Sequence, residues 1–500
     1  VVERALPRFF HQTLGSPLRG ACQRGELRKL QDLVNRGVFG NPVVKGEDTI
    51  AIGLLWAYAV KRTIQGMYKR LRARLALMGN EEKGTMPKIE AYAPVAQAVS
   101  TRILISVHLH DILVRFRKFD VCNAYINEYM RRKVVCRYPP GYTAMEGKDG
   151  IAAFRRLKTG EKHPPGLCLP LIKNLYGGME AGRVFWEAWV DWHLGDGFNL
   201  IPEERCFLVR RQTESEWIKL TYHVDDNTVA YKGERHYQEY LQRLQQKFDV
   251  KEGELDENLG IRYDFDRTLG TCVMTQTPQI EKMLITFGYE KCKPALSPTL
   301  SGAMPCADDC SDRYEGKWDM EAFVGHAGFL CMCTRPDIAQ PLKVLSRYVR
   351  DFGKRHVHFA KHLLRYLQGS KRKGLTYSSA FPQYLQVFTD ASHASDVDTR
   401  RSVISAVVKL GGNTILWKSA FTSMVCHSST ESELMALDVG AMISQAMGWL
   451  VKSMGGPLQE TVQCFVDNDG TITIASNPIQ PKRNLHVHAR YFYHNVRDLI

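Results

Sequence analysis

The stretch Tyr222-His223-Val224-Asp225-Asp226-Asn227 constrains this chain more than any other. Before it, Ile218, Leu220, Tyr222 and Val224 alternate with other residues; after it come the β-branched or aromatic Thr228, Val229 and Tyr231. This pattern predicts a β-hairpin with two carboxylates at its tip. Adjacent aspartates repel, so such a turn needs either open solvent or a cation. For an isolated Asp-Asp-Asn, an exposed polar turn is the plainer reading. The rest of the chain has to decide.

Five hundred residues exceed what one core organises, so two or more domains are expected. A net charge of +14 points to a polyanionic partner or an anionic membrane surface. The 13 cysteines are scattered, the closest pair being Cys331 and Cys333, which argues for a reducing compartment rather than a zinc or disulfide framework. The longest apolar run, Ile50 to Val60, is too short to span a bilayer, and no basic leader opens the chain. A soluble, intracellular protein is the expectation. The first residue is Val, and Val496 to Ile500 reads as an unfinished helix, so a fragment of a longer chain is expected.

Charge is unevenly distributed. Between Lys61 and Arg74 lie six basic residues and no acidic one (Lys61, Arg62, Lys69, Arg70, Arg72 and Arg74), interleaved with apolar residues. Either a phosphate-contacting surface or a solvated helix face produces this pattern. From Lys343 to Lys373 there are ten Lys or Arg against the single acid Asp351. Lys343, Arg347, Arg350, Lys354, Arg355, Lys361 and Arg365 therefore form a candidate nucleic-acid footprint. His356, His358 and His362 lie among them, but with no Cys or carboxylate in their company a metal cluster is the weaker reading.

Other elements can be read more coarsely. A helix is expected over Gly25 to Asn35, a strand over Phe116 to Val121, a loop over Lys148 to Gly166 and a linker over Leu300 to Gly316. Tyr237, Tyr240, Leu241, Leu244 and Phe248 fall at helical spacing and predict a core-facing stripe. In the last segment strands and helices alternate, predicting a separate α/β domain. Its parts are a strand ending at Asp390, a hairpin around Gly411-Gly412-Asn413, a helix from Thr430 to Met454 with Thr430 and Glu433 as a capping box, and a strand ending at Asp467.

Acids at the ends of these elements suggest metal chemistry. Asp120, flanked by Phe119 and Val121, is costly on a buried strand unless it caps a helix or binds a cation. Three carboxylates at one sheet edge are what two-metal phosphoryl transfer requires: one metal activates the attacking 3′-hydroxyl and the other stabilises the leaving pyrophosphate. Asp390, Glu433 and Asp467 repeat that logic, in a form suited to phosphodiester hydrolysis, although Glu433 reads equally well as a capping partner.

An ordered set of short motifs carries a family resemblance. They are Arg72-Ala73-Arg74-Leu75, Tyr92-Ala93-Pro94-Val95, Asp120-Val121 with Ala124-Tyr125, Pro140-Gly141-Tyr142, Leu175-Tyr176-Gly177 and His223-Val224-Asp225-Asp226. Further on come Leu364-Arg365-Tyr366-Leu367, Thr389-Asp390-Ala391, Ser428 to Glu433, and Asp467-Asn468. Over roughly residues 60 to 500 the chain resembles the reverse transcriptase and ribonuclease H region of copia-type long-terminal-repeat retrotransposon Pol polyproteins.

That resemblance implies an α+β chain built as a right-hand polymerase of fingers, palm and thumb, then a connection segment and an α/β ribonuclease H-like domain. The implied spans are a poorly defined 1–60, reverse transcriptase 61–300, connection 301–382 and ribonuclease H-like 383–500. Asp120, Asp225 and Asp226 become palm metal ligands, and Asp390, Glu433 and Asp467 ribonuclease ligands. Each set is implied to hold two Mg2+, with Mn2+ as a substitute. Arg72 and Arg74 are implied to face the incoming triphosphate, and Tyr125 to block a ribose 2′-hydroxyl. Implied partners are an RNA template, a DNA primer and template, the RNA–DNA hybrid and dNTPs, with no membrane. The implied setting is a cytoplasmic virus-like particle and the nucleus.

Three departures stand out. Met179, Glu180 and Gly182 replace the family's Lys-Gln pair and Pro, which puts the Glu180 charge where a triphosphate has to bind. The family's tryptophan-bearing helix before residue 60 is not recognisable. The fourth ribonuclease carboxylate is expected beyond Ile500, leaving that site incomplete.

Overall fold

The computed structural model describes residues 7, 10–47, 50–62, 68–82, 87, 91–302, 304–457 and 461–476. Mixed helices and sheets build it, and they group into two compact units that interleave in sequence. The first comprises residues 1–95, 120–198 and 242–251, and the second 96–119, 199–241 and 252–500. Neither corresponds to an unbroken stretch of chain.

In the first unit a long antiparallel hairpin pairs Leu54–Arg62 with Tyr68–Leu77. Strict alternation shapes its second strand: Leu71, Ala73, Leu75 and Leu77 are buried, whereas Arg70, Arg72 and Arg74 are exposed. Helix Arg19–Asn35 covers the apolar side, extending the expected helix by about two turns at its start. A four-stranded sheet runs in the order Val43–Val44, Leu167–Lys173, Tyr129–Cys136, Ala51–Ile52. The expected loop after Lys148 contains a strand, Ala153–Arg156, paired with Tyr142–Met145. Charge and glycine density had concealed it.

A six-stranded sheet, most of whose residues belong to the second unit, runs in the order Asn199–Ile201, Glu204–Arg211, Trp217–His223, Asp226–Lys232, Arg115–Val121, Val250–Glu254. A second sheet joins Glu257–Asn258, Ile261–Asp266, Thr271–Thr275 and Leu375–Ser378. A third runs in the order Asn413–Phe421, Val403–Leu410, Leu385–Ser392, Gln463–Phe465, with only the last pair parallel. Gly411 and Gly412, both at positive φ, form the two-residue turn between the first two of these strands, the geometry that favours Gly-Gly in hairpins.

The C-terminal sheet does not pack by itself. One apolar core runs from helix Ala98–His108 (Ile103, Leu104, Val107) through Phe207, Tyr263 and Met274 to Val387, Val408, Ile415 and Leu450. Buried polar ties cross the same core: Ser106 Oγ donates to the Leu410 carbonyl at 3.2 Å, and Asn413 Nδ2 donates to Ser106 Oγ at 2.9 Å.

The expected linker is docked. Asp309 pairs with Arg355 at 3.3 Å and Asp312 with Lys354 at 2.7 Å, which ties the segment to helix Lys354–Gly369. Helix Ser429–Ser453, at 25 residues, is long and apolar enough to cross a membrane, but more than half of its most apolar window is buried inside the protein.

Candidate functional sites

The hairpin expected around Asp225 is present. Trp217–His223 pairs with Asp226–Lys232 in register from Trp217↔Lys232 to His223↔Asp226, so Val224 and Asp225 alone form the turn. Val224 has φ +59° while Asp225 does not enter the positive region, the pattern of a turn that usually has Gly first. A β-branched residue there stores strain of about 1–3 kcal/mol. Asn227 is fully buried and its Nδ2 donates to the Asp225 carbonyl at 3.0 Å, fixing the turn from below. Tyr222 is buried and its hydroxyl donates to the Arg205 carbonyl at 2.8 Å. Both aspartates are half-buried rather than fully exposed. An apolar cavity of about 310 Å³ lined by Tyr222, Asp226, Ile261 and Tyr263 adjoins them.

Asp120 is exposed, the penultimate residue of strand Arg115–Val121. Phe119, before it, is buried against the Tyr237 and Tyr240 rings. In the first unit Arg74 lies over the Tyr176 ring at 5.8 Å, and Tyr176 meets Tyr125 edge-on at 4.9 Å. This chain links two predicted nucleotide residues through Tyr176, whose role the sequence reading missed although it had singled out the motif containing it. Leu77 N–H donates to the Tyr176 carbonyl at 2.7 Å. Gly177, at φ +87°, lets the two backbones touch: a Cβ there would sit 2.2 Å from the Leu77 carbonyl oxygen.

Glu180 is not the bare charge that the sequence suggested. Its carboxylate is buried and accepts from the Arg131 N–H at 2.9 Å and from Arg132 Nε at 2.8 Å. Arg132 also holds the buried Glu82 at 3.1 Å. Pairing offsets the charge locally, and its position just before helix Ala181–Gly195 adds a favourable helix-end field.

The basic stripe is largely spent within the chain. Arg347 pairs with Asp396 at 2.5 Å and Asp398 at 3.1 Å, Lys354 with Asp312, and Arg355 with Asp309. Lys361 donates to the Tyr314 hydroxyl at 3.1 Å, and Arg365 to the Lys293 carbonyl at 2.9 Å. Lys343 lies over the Phe421 ring. Arg350, exposed, has no ion-pair partner among the described residues. His356 is buried, and burial lowers its pKa. Counting charge along the chain overstated this footprint, because its counter-ions come from segments far away in sequence.

Asp390, Glu433 and Asp467 do converge: one oxygen from each lies within 4.8 Å of the others. Asp390 is near the end of strand Leu385–Ser392, and Asp467 follows the parallel strand Gln463–Phe465. Glu433 comes from the start of helix Ser429–Ser453, but not as its cap. Ser428 is the N-cap, accepting from Glu431 N–H at 3.1 Å, while Glu431 accepts from His427 N–H at 2.6 Å. The expected Thr430–Glu433 capping box is therefore corrected: the N-cap is Ser428, two residues earlier, and Glu431 rather than Glu433 reaches back, to the His427 N–H. Glu433 is thereby released for another role.

Glu433 Oε1 accepts from Ala391 N–H at 3.1 Å, while its buried Oε2 has no hydrogen-bond partner among the described residues. Burial pushes its pKa up, and repulsion from Asp390 and Asp467 adds to this against the Ala391 hydrogen bond. An orphaned buried oxygen amid mutually repelling carboxylates fits a hard divalent cation.

The reverse transcriptase (RNA-dependent DNA polymerase) family model matches residues 41–301. The retrovirus-related Pol polyprotein from transposon TNT 1-94 of Nicotiana tabacum is 24% identical over 99% of this chain and 36% of its own length. That from transposon RE1 of Arabidopsis thaliana is 26% identical over 90% of this chain and 29% of its own. The chain thus spans about a third of the length of these curated relatives. A foamy viral protease–reverse transcriptase solved in complex with double-stranded DNA aligns at 13% identity and a TM-score of 0.44, over 91% of this chain and 64% of that one. On the family match and on relatives that cover nearly its whole length, this chain belongs to the reverse transcriptase (RNA-dependent DNA polymerase) family, in its copia-type retrotransposon Pol branch.

Proposed function

We propose that this chain performs RNA- and DNA-templated DNA synthesis by two-metal phosphoryl transfer, with Asp120, Asp225 and Asp226 as the metal-holding carboxylates. The observation that carries this reading is the strained Val224–Asp225 turn, which presents Asp225 and Asp226 inside the matched family segment. Its supporting neighbour is the strand Arg115–Val121, which ends in Asp120-Val121 and adjoins Asp226–Lys232 in the sheet. Carboxylates alone are hard oxygen donors, which favours Mg2+ or Mn2+. When bound, the ions would lower the pKa of the primer 3′-hydroxyl and neutralise the leaving pyrophosphate.

The chain's own residues do the positioning. In this reading the hairpin carrying Arg72 and Arg74 belongs to the fingers and presents cations to the dNTP triphosphate. Tyr125, braced by Tyr176 and Phe185, stands against the sugar. Lys343, Arg350 and the remaining exposed cations of the connection segment would contact the template–primer backbone. Primer extension on an RNA template with Mg2+ tests the reading. Incorporation well above an Asp225→Asn control supports it; incorporation equal to that control would leave a nucleic-acid-binding protein without catalysis.

A second activity rests on a separate observation, the convergence of Asp390, Glu433 and Asp467 within 4.8 Å. We propose that these residues hold the divalent ions of a ribonuclease H-like site acting on the RNA strand of an RNA–DNA hybrid. Titration with Mn2+ should raise the thermal stability of the wild type and do less for Asp390→Asn. Equal shifts in the two proteins would rule out this metal assignment.

A further inference from the structure

The second unit contains a cavity of about 910 Å³ whose lining includes none of the carboxylates proposed as metal ligands. His108, Trp217 and Lys219 line it, all buried, with Arg211 exposed beside them and the aromatic side chains of Phe381 and Tyr384 exposed as well. Lys219 Nζ is 2.8 Å from His108 Nε2 and donates to the Met454 carbonyl at 2.7 Å. It also lies 4.5 Å from the Trp217 ring centroid.

Among the described residues this amine has no carboxylate in ion-pair contact. Of the acids lining the cavity, Asp111 is taken by Lys232 at 2.7 Å and Glu214 is exposed in a loop. The other charged or titratable groups lining it are Arg211, His108, Tyr384 and His110, the last 3.2 Å from Gln383 Nε2. A lysine that only capped the helix ending at Ser453 would need no cavity and would profit from a full charge at that helix end. Here burial, with Arg211 adding to it, pushes the Lys219 amine down to about 7. Much of it is therefore the free base at neutral pH, and a free amine lining an open cavity is a nucleophile toward carbonyl carbon.

We propose that Lys219 is a carbonyl-reactive amine in a binding site for small anionic aldehydes, with Arg211 receiving the anion and the His108 and Trp217 rings, tilted at 38° with centroids 4.5 Å apart, lining the wall beside the carbonyl-bearing group. The Lys219 nitrogen lone pair attacks the aldehyde carbon and forms the C–N bond. The carbonyl oxygen leaves as water carrying both amine protons, and an imine remains. No electron donor or acceptor is consumed.

The test uses the full chain with pyridoxal 5′-phosphate at pH 7.5, trapping by borohydride and peptide mass spectrometry. Exposed lysines, with a pKa near 10.4, are only about 0.1% free base at that pH. Lys219 should form the reduced adduct at least tenfold faster than the median exposed lysine, with the advantage shrinking as the pH rises toward 10. Arg211→Ala should slow labelling by pyridoxal 5′-phosphate severalfold and leave labelling by uncharged pyridoxal unchanged. Lys219→Arg, which keeps a donor for the Met454 carbonyl, should lose the fast adduct. Labelling of Lys219 no faster than that of exposed lysines, or only after denaturation, would overturn the proposal. Should Lys219→Arg fail to fold, the comparison among lysines within the wild type still decides.

Discussion

The two carboxylate groups are held by opposite means. Asp225 and Asp226 are neighbours in sequence, presented by a two-residue turn that keeps Val224 at φ +59°. Asp390, Glu433 and Asp467 come from two strands and a helix and meet only through packing. The first arrangement stores its cost in the backbone; the second stores it as repulsion among acids around a buried, unpartnered oxygen. A bound cation would offset the repulsion among the acids but not the backbone strain at Val224, so different changes expose the two costs.

The largest expected effect separates the groups by activity. Asp467→Asn should lower cleavage of the RNA strand of a hybrid by about 1,000-fold while leaving primer extension within about twofold, since loss of a metal ligand is worth several kcal/mol to the step it serves. Equal losses in the two assays would show that the groups are not independent.

Acid should act on the two units with opposite sign. His193, buried in the first unit with Nδ1 2.7 Å from the Trp189 carbonyl, is held down to about 4 by burial. The unfolded chain protonates it below about pH 6.5. Stability should therefore fall between pH 6.5 and 4 by up to about 3 kcal/mol from this group, and His193→Gln should flatten that part of a melting profile. Glu433 has a raised pKa, so its contribution is present at low pH and lost as the pH rises through the folded value. Glu433→Gln should accordingly raise the melting temperature at neutral pH without metal and diminish the further rise on adding Mn2+.

The cations divide in the same way, into those held by packing and those left free. Arg347→Ala, which strips Asp396 and Asp398 of their partner, should destabilise the second unit by about 2 kcal/mol in denaturant melts, discounted for the partial exposure of the pair. It should hardly alter the salt dependence of hybrid binding. Arg350→Ala should do the reverse, lowering the slope of log affinity against log salt by about 0.9 with little change in stability. The smallest effect expected is that of Val224→Gly: relief of strain should raise stability by about 1 kcal/mol. Extension should fall if the strain is what sets the aspartates, with no change in the ribonuclease group.

How much of this was legible in the sequence follows from the same contrast. The same period at Arg70, Arg72 and Arg74 reads as a basic surface or helix face and turns out to be a strand, whereas the hairpin at Asp225 is a local, period-two feature and was readable directly. The pairing of the stripe was not, since Arg347 finds Asp396 and Asp398, and Arg355 finds Asp309, only across folded segments. Glu433 was ambiguous because Thr430-x-x-Glu433 and Ser428-x-x-Glu431 both satisfy a capping pattern, and only the helix start chooses between them. Glu180 read as an intrusive charge because Arg132, its partner, lies on a strand 48 residues earlier. The single core joining helix Ala98–His108 to the C-terminal sheet left no local signal at all.

The central claim is that Asp225 and Asp226 serve DNA synthesis and the packed group does not. It is tested most directly on one substrate, an end-labelled DNA primer on an RNA template with Mg2+ and dNTPs, comparing wild type with Asp225→Asn. Extension by the wild type, at least 100-fold faster than by Asp225→Asn under conditions where both proteins bind the substrate equally, is the predicted result. Equal extension by the two proteins would contradict the account.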